Sequence, residues 1–304
     1  MISKPRLLGI VNTAAYVLNA LETFGYGPFS SHFSADQNNA TISDKYQTII
    51  TPFGFAFSIW GVIFLMQAVF CYVCTFWGEE YSAHPLVVDG VSYYYLLACL
   101  AQTAWSPAFA YEKMPLAAVL MGCILIPLIV IAVKQNHART RGMEINPRLA
   151  LFFRGKYYWL LQFPFELHLG WIMAAFALNI NVVLVADKAS STAQVVAAAI
   201  SLGVLTIVSI SCLFVVKTTN YTIPSVAIWT TFWIYIGLHN PKALILDTFS
   251  SSEINGFRFA AISLCFVLIG LIALVRWNQK CREVDDSGNS VREDTPLREN
   301  LQIA

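Results

Sequence analysis

The feature that most constrains this chain is a set of long apolar runs with no charge in them. Leu116–Val133 contains no Asp, Glu, Lys or Arg, and as a helix at 1.5 Å per residue it covers about 27 Å. A hydrocarbon core is about 30 Å thick and needs roughly 20 mostly apolar residues to cross it. A soluble surface helix keeps a polar stripe, and these runs have none. Composition agrees: 57% of the residues are hydrophobic and 12% are charged, against roughly 45–50% and 25% in soluble domains. So little charge cannot cover a water-facing surface, but a lipid-facing surface needs none. These features predict an all-α, polytopic membrane helix bundle.

Eight stretches have the required character, at about 7–24, 55–77, 92–110, 115–134, 158–185, 194–216, 221–239 and 257–277. The stretch at 221–239 is the weakest, because Pro224, several Thr and Asn240-Pro241 limit it. A short turn, Tyr111–Met114, makes the third and fourth a tight hairpin. With eight spans, fourteen of the 19 Lys and Arg fall on the side of the N-terminus and five on the other. Positive charge stays inside, so both ends are expected in the cytosol. The first apolar run is read as a retained helix, since no small-residue cleavage site comes after it. Residues 278–304, polar and mixed in charge, are expected to be disordered.

Several function classes drop out. A net charge of +1 offers no basic face for nucleic acid. The seven cysteines are scattered through apolar runs and read as small buried thiols. Cys71-x-x-Cys74 lacks the further ligands or context that a metal or redox site needs. No phosphate loop or zinc-protease motif is present, and no nucleophile–base pair stands out. No cofactor or metal is therefore expected. Asn39-Ala-Thr41, in a loop of about thirty residues on the predicted outer side, is a glycosylation candidate at Asn39. Small residues such as Gly61 and Gly203 are expected at close helix contacts.

Two polar residues carry more information. Glu166 and His168 lie ~12–15 Å into the fifth span, near the midplane. A charged group facing lipid there costs at least ~2.5–3.5 kcal/mol, so both should face the protein interior. Two positions apart, they diverge by about 200° and cannot share one narrow face. Gln67, Gln102, Asn12 and Asn19 are candidate partners. Pro52 suits the start of a helix. Pro107 and Pro164 each remove a backbone hydrogen bond and loosen their helices.

Three segments carry a resemblance. They are Thr51-Pro-Phe-Gly-Phe-Ala-Phe-Ser-Ile-Trp-Gly-Val-Ile-Phe64, Trp105-Ser-Pro-Ala-Phe109, and Pro164-Phe165 with Trp171, Ala175 and Asn179 after it. In this order and spacing, residues 7–185 resemble the TspO/translocator family of tryptophan-rich membrane proteins. The resemblance implies a five-helix core at 1–190, with three additional helices at 191–277. It implies a pocket between the helices, with residues 25–52 as its lid and Trp60, Trp105, Phe109 and Trp171 as its aromatic walls. Glu166, His168 and Asn179 are candidate polar contacts. The implied ligand is a porphyrin or other flat apolar molecule, and the implied role is sensing or transport. Sterol ligands and a homodimer are further implications. Trp229 and Trp233, in the seventh helix, fall outside this pocket and are expected to matter little for binding. The family's sterol motif is missing after helix five, and Gln102 stands where Asn is common. Two alternatives stay open: a membrane enzyme using Glu166 or His168 as acid/base on a lipid or tetrapyrrole, and a structural or regulatory partner of another membrane complex.

Overall fold

The computed structural model describes residues 3–25, 39–145 and 155–293, and every regular element among them is helical. Eight long helices match the apolar stretches. They are α1 (Lys4–Gly25), α2 (Ile59–Phe76), α3 (Tyr94–Ala110), α4 (Met114–Ile145), α5 (Phe163–Ala186), α6 (Ser191–Phe214), α7 (Thr222–Gly237) and α8 (Ser251–Glu293). Six helical segments are long and apolar enough to cross a membrane. The remaining two helices, α3 and α7, have 17 and 16 residues and reach about 24–26 Å. The chain is a polytopic helical membrane bundle.

Local chemistry fixes the helix ends. The Ala193 N–H donates to the Ser190 hydroxyl at 3.3 Å and caps α6. Glu112 adopts φ 58° in the turn between α3 and α4. Two prolines act differently from the expectation. Pro164 does not kink the interior of α5. It lies in the first α-helical turn, after a π-helical turn at Tyr158–Gln162, where its missing N–H coincides with the change of hydrogen-bond register. Pro52 precedes a 3-10 turn, Gly54–Ser58, that leads into α2. Pro107 lies inside α3, near its end, as expected. The last helix continues to Glu293, past the point where disorder was expected to begin; residues 294–304 lie outside the described residues.

The first five helices close into a ring in the order α1, α2, α5, α4, α3. On the other side of α5 lie α6 and α7, and α8 covers α7 and α6. Helix α5 is thus shared by both layers. Close approaches within the bundle are not at Gly61 or Gly203, where an added Cβ would meet nothing within 4 Å. They are at Gly9, where a Cβ would sit 2.7 Å from the Cys74 carbonyl oxygen, at Gly90, where it would sit 2.6 Å from Gln135, and at Gly170, where it would sit 3.0 Å from Val226. Gly9→Ala drives a side chain against rigid backbone and is expected to cost about 1–3 kcal/mol. Gly61→Ala is expected to be neutral or slightly stabilising. Thermal melting of both variants in detergent checks this pair.

Residues 46–53 enter the second layer. Ile49 and Ile50 are buried against Ala198, Leu202, Ile234 and Leu238. Phe53 N–H donates to the Trp233 carbonyl at 2.9 Å. A Cβ on Gly237 would sit 3.3 Å from both Phe53 N and Thr51 O, so a side chain there would push the backbone of residues 51–53 away from α7. Of the segment 25–52, expected as a lid, residues 26–38 lie outside the described residues. Asn39 opens a short helix, Asn39–Lys45; its side chain is also outside them.

That short helix is latched to the α3–α4 turn. Lys45 Nζ lies 2.7 Å from Glu112, and Tyr46 donates to the same carboxylate at 2.5 Å. The Lys45 hydrogen bond, then that of Tyr46, holds the Glu112 carboxyl below the usual carboxylate range. A depressed acid contributes stability above its unfolded value and loses it as pH falls through its folded value. The hydrogen-exchange protection factors of residues 39–46 should therefore hold between pH 7 and 5 and fall as the pH drops through and below the ordinary carboxylate range. Glu112→Gln should remove that pH dependence.

Candidate functional site

The ring interior begins with an aromatic plug. Phe70, Tyr95 and Phe165, from α2, α3 and α5, meet edge to face with centroids 4.8–6.1 Å apart. All three are fully buried. Helical spacing brings polar residues onto the same faces beside it. Gln67 is three residues from Phe70, His168 three from Phe165, and Gln102 seven from Tyr95. Each is at most 1% exposed. The Gln67 amide and His168 Nδ1 are 2.8 Å apart, so Gln67 is the interhelical partner of His168. On α1, Asn12 Nδ2 donates to the Ser92 carbonyl at 3.1 Å. Gln102 and Asn19 make no bond to either ionisable residue.

Several atoms here are left over. Asn12 Oδ1, Gln67 Oε1, Gln102 Oε1 and His168 Nε2 are buried and have no hydrogen-bond partner among the described residues. In hydrocarbon, each such atom costs several kcal/mol unless something else satisfies it. Three of the four are amide oxygens, which accept hydrogen bonds.

The tryptophans fall into two groups. Trp60 lies 5.8 Å from His168 and 6.3 Å from Trp171, ring to ring. Trp171 also meets Phe57 at 5.6 Å, and its indole N–H is buried without a partner among the described residues. Pro52, Phe57 and Trp171 border a void of about 20 Å³. Further along α3, Trp105 stacks on Phe109 with centroids 5.2 Å apart and donates from its indole to Asn179 Oδ1 at 3.2 Å. Among the described residues no ring contact joins Trp105 to Trp60 or Trp171.

Glu166 faces the other way, towards α7. It accepts from Gln162 at 2.7 Å and from Tyr158 at 3.0 Å, and the Tyr158 hydroxyl is 2.6 Å from Thr222. The 200° divergence thus places Glu166 in the seam between layers and His168 in the ring. Trp229 and Trp233 are tied closely to the aromatic motif rather than peripheral to it. Trp229 donates to the Ala56 carbonyl at 3.0 Å, and Phe55 contacts Trp229 and Trp233 at 6.0 and 5.0 Å. Helix α7 therefore clamps the segment that positions Trp60. The partner of Trp229 is a backbone atom far away in sequence, so no local pattern could reveal it.

A family model described as TSPO-like protein matches residues 10–275. The chain belongs to the TSPO-like protein family. The match runs through α6 and α7 and into α8, so the family likeness does not stop near residue 185. That extent agrees with the physical integration of α7 with the lead-in to α2. Neither the curated proteins nor the solved structures return a match.

Proposed function

We propose that this TSPO-like protein is a membrane ligand-binding protein, a sensor or transporter, whose ring interior takes a porphyrin-like or other flat, mostly apolar molecule. One observation carries the reading: Asn12, Gln67, Gln102 and His168, on four different helices, each hold a buried polar atom without a partner among the described residues. A ligand with a few polar atoms in an apolar frame supplies those partners where water is scarce. Aromatic faces for stacking come from Trp60, Trp105 and Phe109, with Trp171 backing Trp60. Asn179 orients Trp105 through its hydrogen bond. Glu166 joins α5 to α7 through Tyr158 and Thr222 and sets the distance between the layers. The unit boundary near 190 separates the ring from the helices that hold its lead-in segment. The charge bias supports cytosolic termini, and a homodimer is compatible with the exposed apolar faces.

The test is tryptophan quenching of purified protein titrated with a porphyrin and, separately, with a sterol. Saturable porphyrin quenching at one ligand per chain, without turnover, is expected. A photoreactive sterol should label residues 180–190 poorly, because the sterol motif's Tyr is absent there. Absence of saturable quenching by any flat apolar probe would remove the reading.

A further inference from the structure

A large opening in the described structure lies outside the ring. A cavity of about 980 Å³ lies on the lipid side of the seam between α2, α5, α7 and α8. None of the seven ligand-contact candidates, from Trp60 to Asn179, lines it. Its two ends differ in chemistry. One end gathers Arg139, Lys217, Arg276 and Lys280, and no Asp or Glu among the described residues lines the cavity. These four cations come from α4, the α6–α7 connection and α8. Hydroxyls of Tyr158, Thr218 and Thr222 stand among them. The other end, about 10 Å further along α7, is apolar: Val62, Phe163, Leu167, Val226 and Trp229.

The charged end is held in place by its neighbours. The Arg276 guanidinium lies 4.7 Å over the Tyr221 ring. Tyr221 donates to Gln279 at 2.8 Å, and Gln279 donates to Thr219 at 3.0 Å. Two carboxylates lie near without lining the cavity. Glu144 meets Lys217 at 3.4 Å, and Glu166 is covered by Tyr158 and Thr222. Trp159 stands at the lipid-facing edge, 53% exposed, with its ring 4.8 Å from Phe163.

We propose that this cavity binds an anionic glycerophospholipid of the surrounding bilayer. The headgroup phosphate sits among Arg139, Lys217, Arg276 and Lys280. One acyl chain runs along Phe163 and Leu167 to Trp229. Clustered cations between helix ends attract anionic headgroups, and an uncharged headgroup gains nothing from them. The apolar wall continues into the lipid-facing surface at Trp159, so a lipid reaches the site laterally. Because Trp229 also holds the Ala56 carbonyl, the bound chain lies against the clamp on the lead-in to α2.

The full chain, delipidated in detergent, is titrated with phosphatidylglycerol or phosphatidylcholine carrying brominated chains. Bound lipid is counted by native mass spectrometry, and proximity to Trp159 and Trp229 is read by quenching. Phosphatidylglycerol is expected to bind at least tenfold more tightly than phosphatidylcholine. The double variant Arg276→Gln, Lys280→Gln should reduce that preference about tenfold, whereas Lys4→Gln with Arg6→Gln, on α1, should leave it intact. If the double variant fails to fold, the wild-type preference and its loss in high salt carry the test. Equal affinity for the two lipids overturns the proposal, as does an unchanged preference in a folded double variant. Displacement of the lipid by a porphyrin would assign the cavity to that ligand and overturn it too. Porphyrin binding that survives with lipid in place keeps the two sites separate.

Discussion

Trp105→Ala is expected to weaken porphyrin binding by about 30-fold or more. Trp105 is 9% exposed, stacks on Phe109 and anchors its indole on Asn179. It shares a face of α3 with Gln102, three residues away, whose amide oxygen lacks a partner among the described residues. A buried aromatic at a binding centre often contributes 2 kcal/mol or more, and each 1.4 kcal/mol is tenfold in affinity. Removing the ring also frees Asn179 Oδ1, which adds an unpaired acceptor to the site. Trp277→Ala is the control: Trp277 is 68% exposed on α8 and should leave affinity unchanged. Trp229→Ala is unsuitable as a neutral control, because its indole holds the Ala56 carbonyl. The affinities come from quenching titrations, with melting measured alongside. A folded Trp105→Ala variant with unchanged affinity would remove α3 from the site.

Trp171→Ala is expected to act on stability instead, at about 3–5 kcal/mol, the usual cost of removing a large buried ring. Trp171 is 2% exposed and fills the junction of α2, α5 and α7, touching Phe57 and Trp60. Its neighbours Ala56, Ile63, Leu167 and Val226 form one buried cluster with it. They are held by helix backbones and cannot collapse far into the gap. Trp171→Phe keeps much of the volume and should lose much less. Thermal melting in detergent, ranked as wild type, Phe variant, Ala variant, checks the order. An alanine variant as stable as wild type would mean that the junction repacks freely.

Spacing and solvent govern the part of the fold that is legible in the sequence. The uncharged run at 116–133 announces a membrane helix, and the eight apolar stretches match eight helices. Two positions on one helix diverge by geometry, so the separation of Glu166 and His168 is derivable from their numbers. Gln67 is readable as a partner because few polar groups exist at that depth. The features that escape depend on which helix lies beside which. Gly61 and Gly203 look like contact residues, yet Gly9, Gly90, Gly170 and Gly237 make the close approaches, since only the neighbour's position decides. Pro164 reads as a kink until the π-helical turn before it is seen. The three motif tryptophans read as one group, but Trp105 bonds to Asn179, about two turns along α5 from Trp171. The clamp of α7 on residues 53–56 joins segments with no shared local pattern, and so does the ring of cations at the lipid-side cavity.

Placement of the ligand inside the five-helix ring is tested most directly by photo-crosslinking with a flat apolar probe and peptide mapping of the labelled full-length chain. Labels are expected on α1, α2, α3 and α5, concentrated around Asn12, Gln67, Gln102 and His168, and competed away by unlabelled porphyrin. Competable labels confined to α7 and α8, around Thr222, Trp229 and Arg276, would contradict that placement and move the ligand to the cavity on the lipid side.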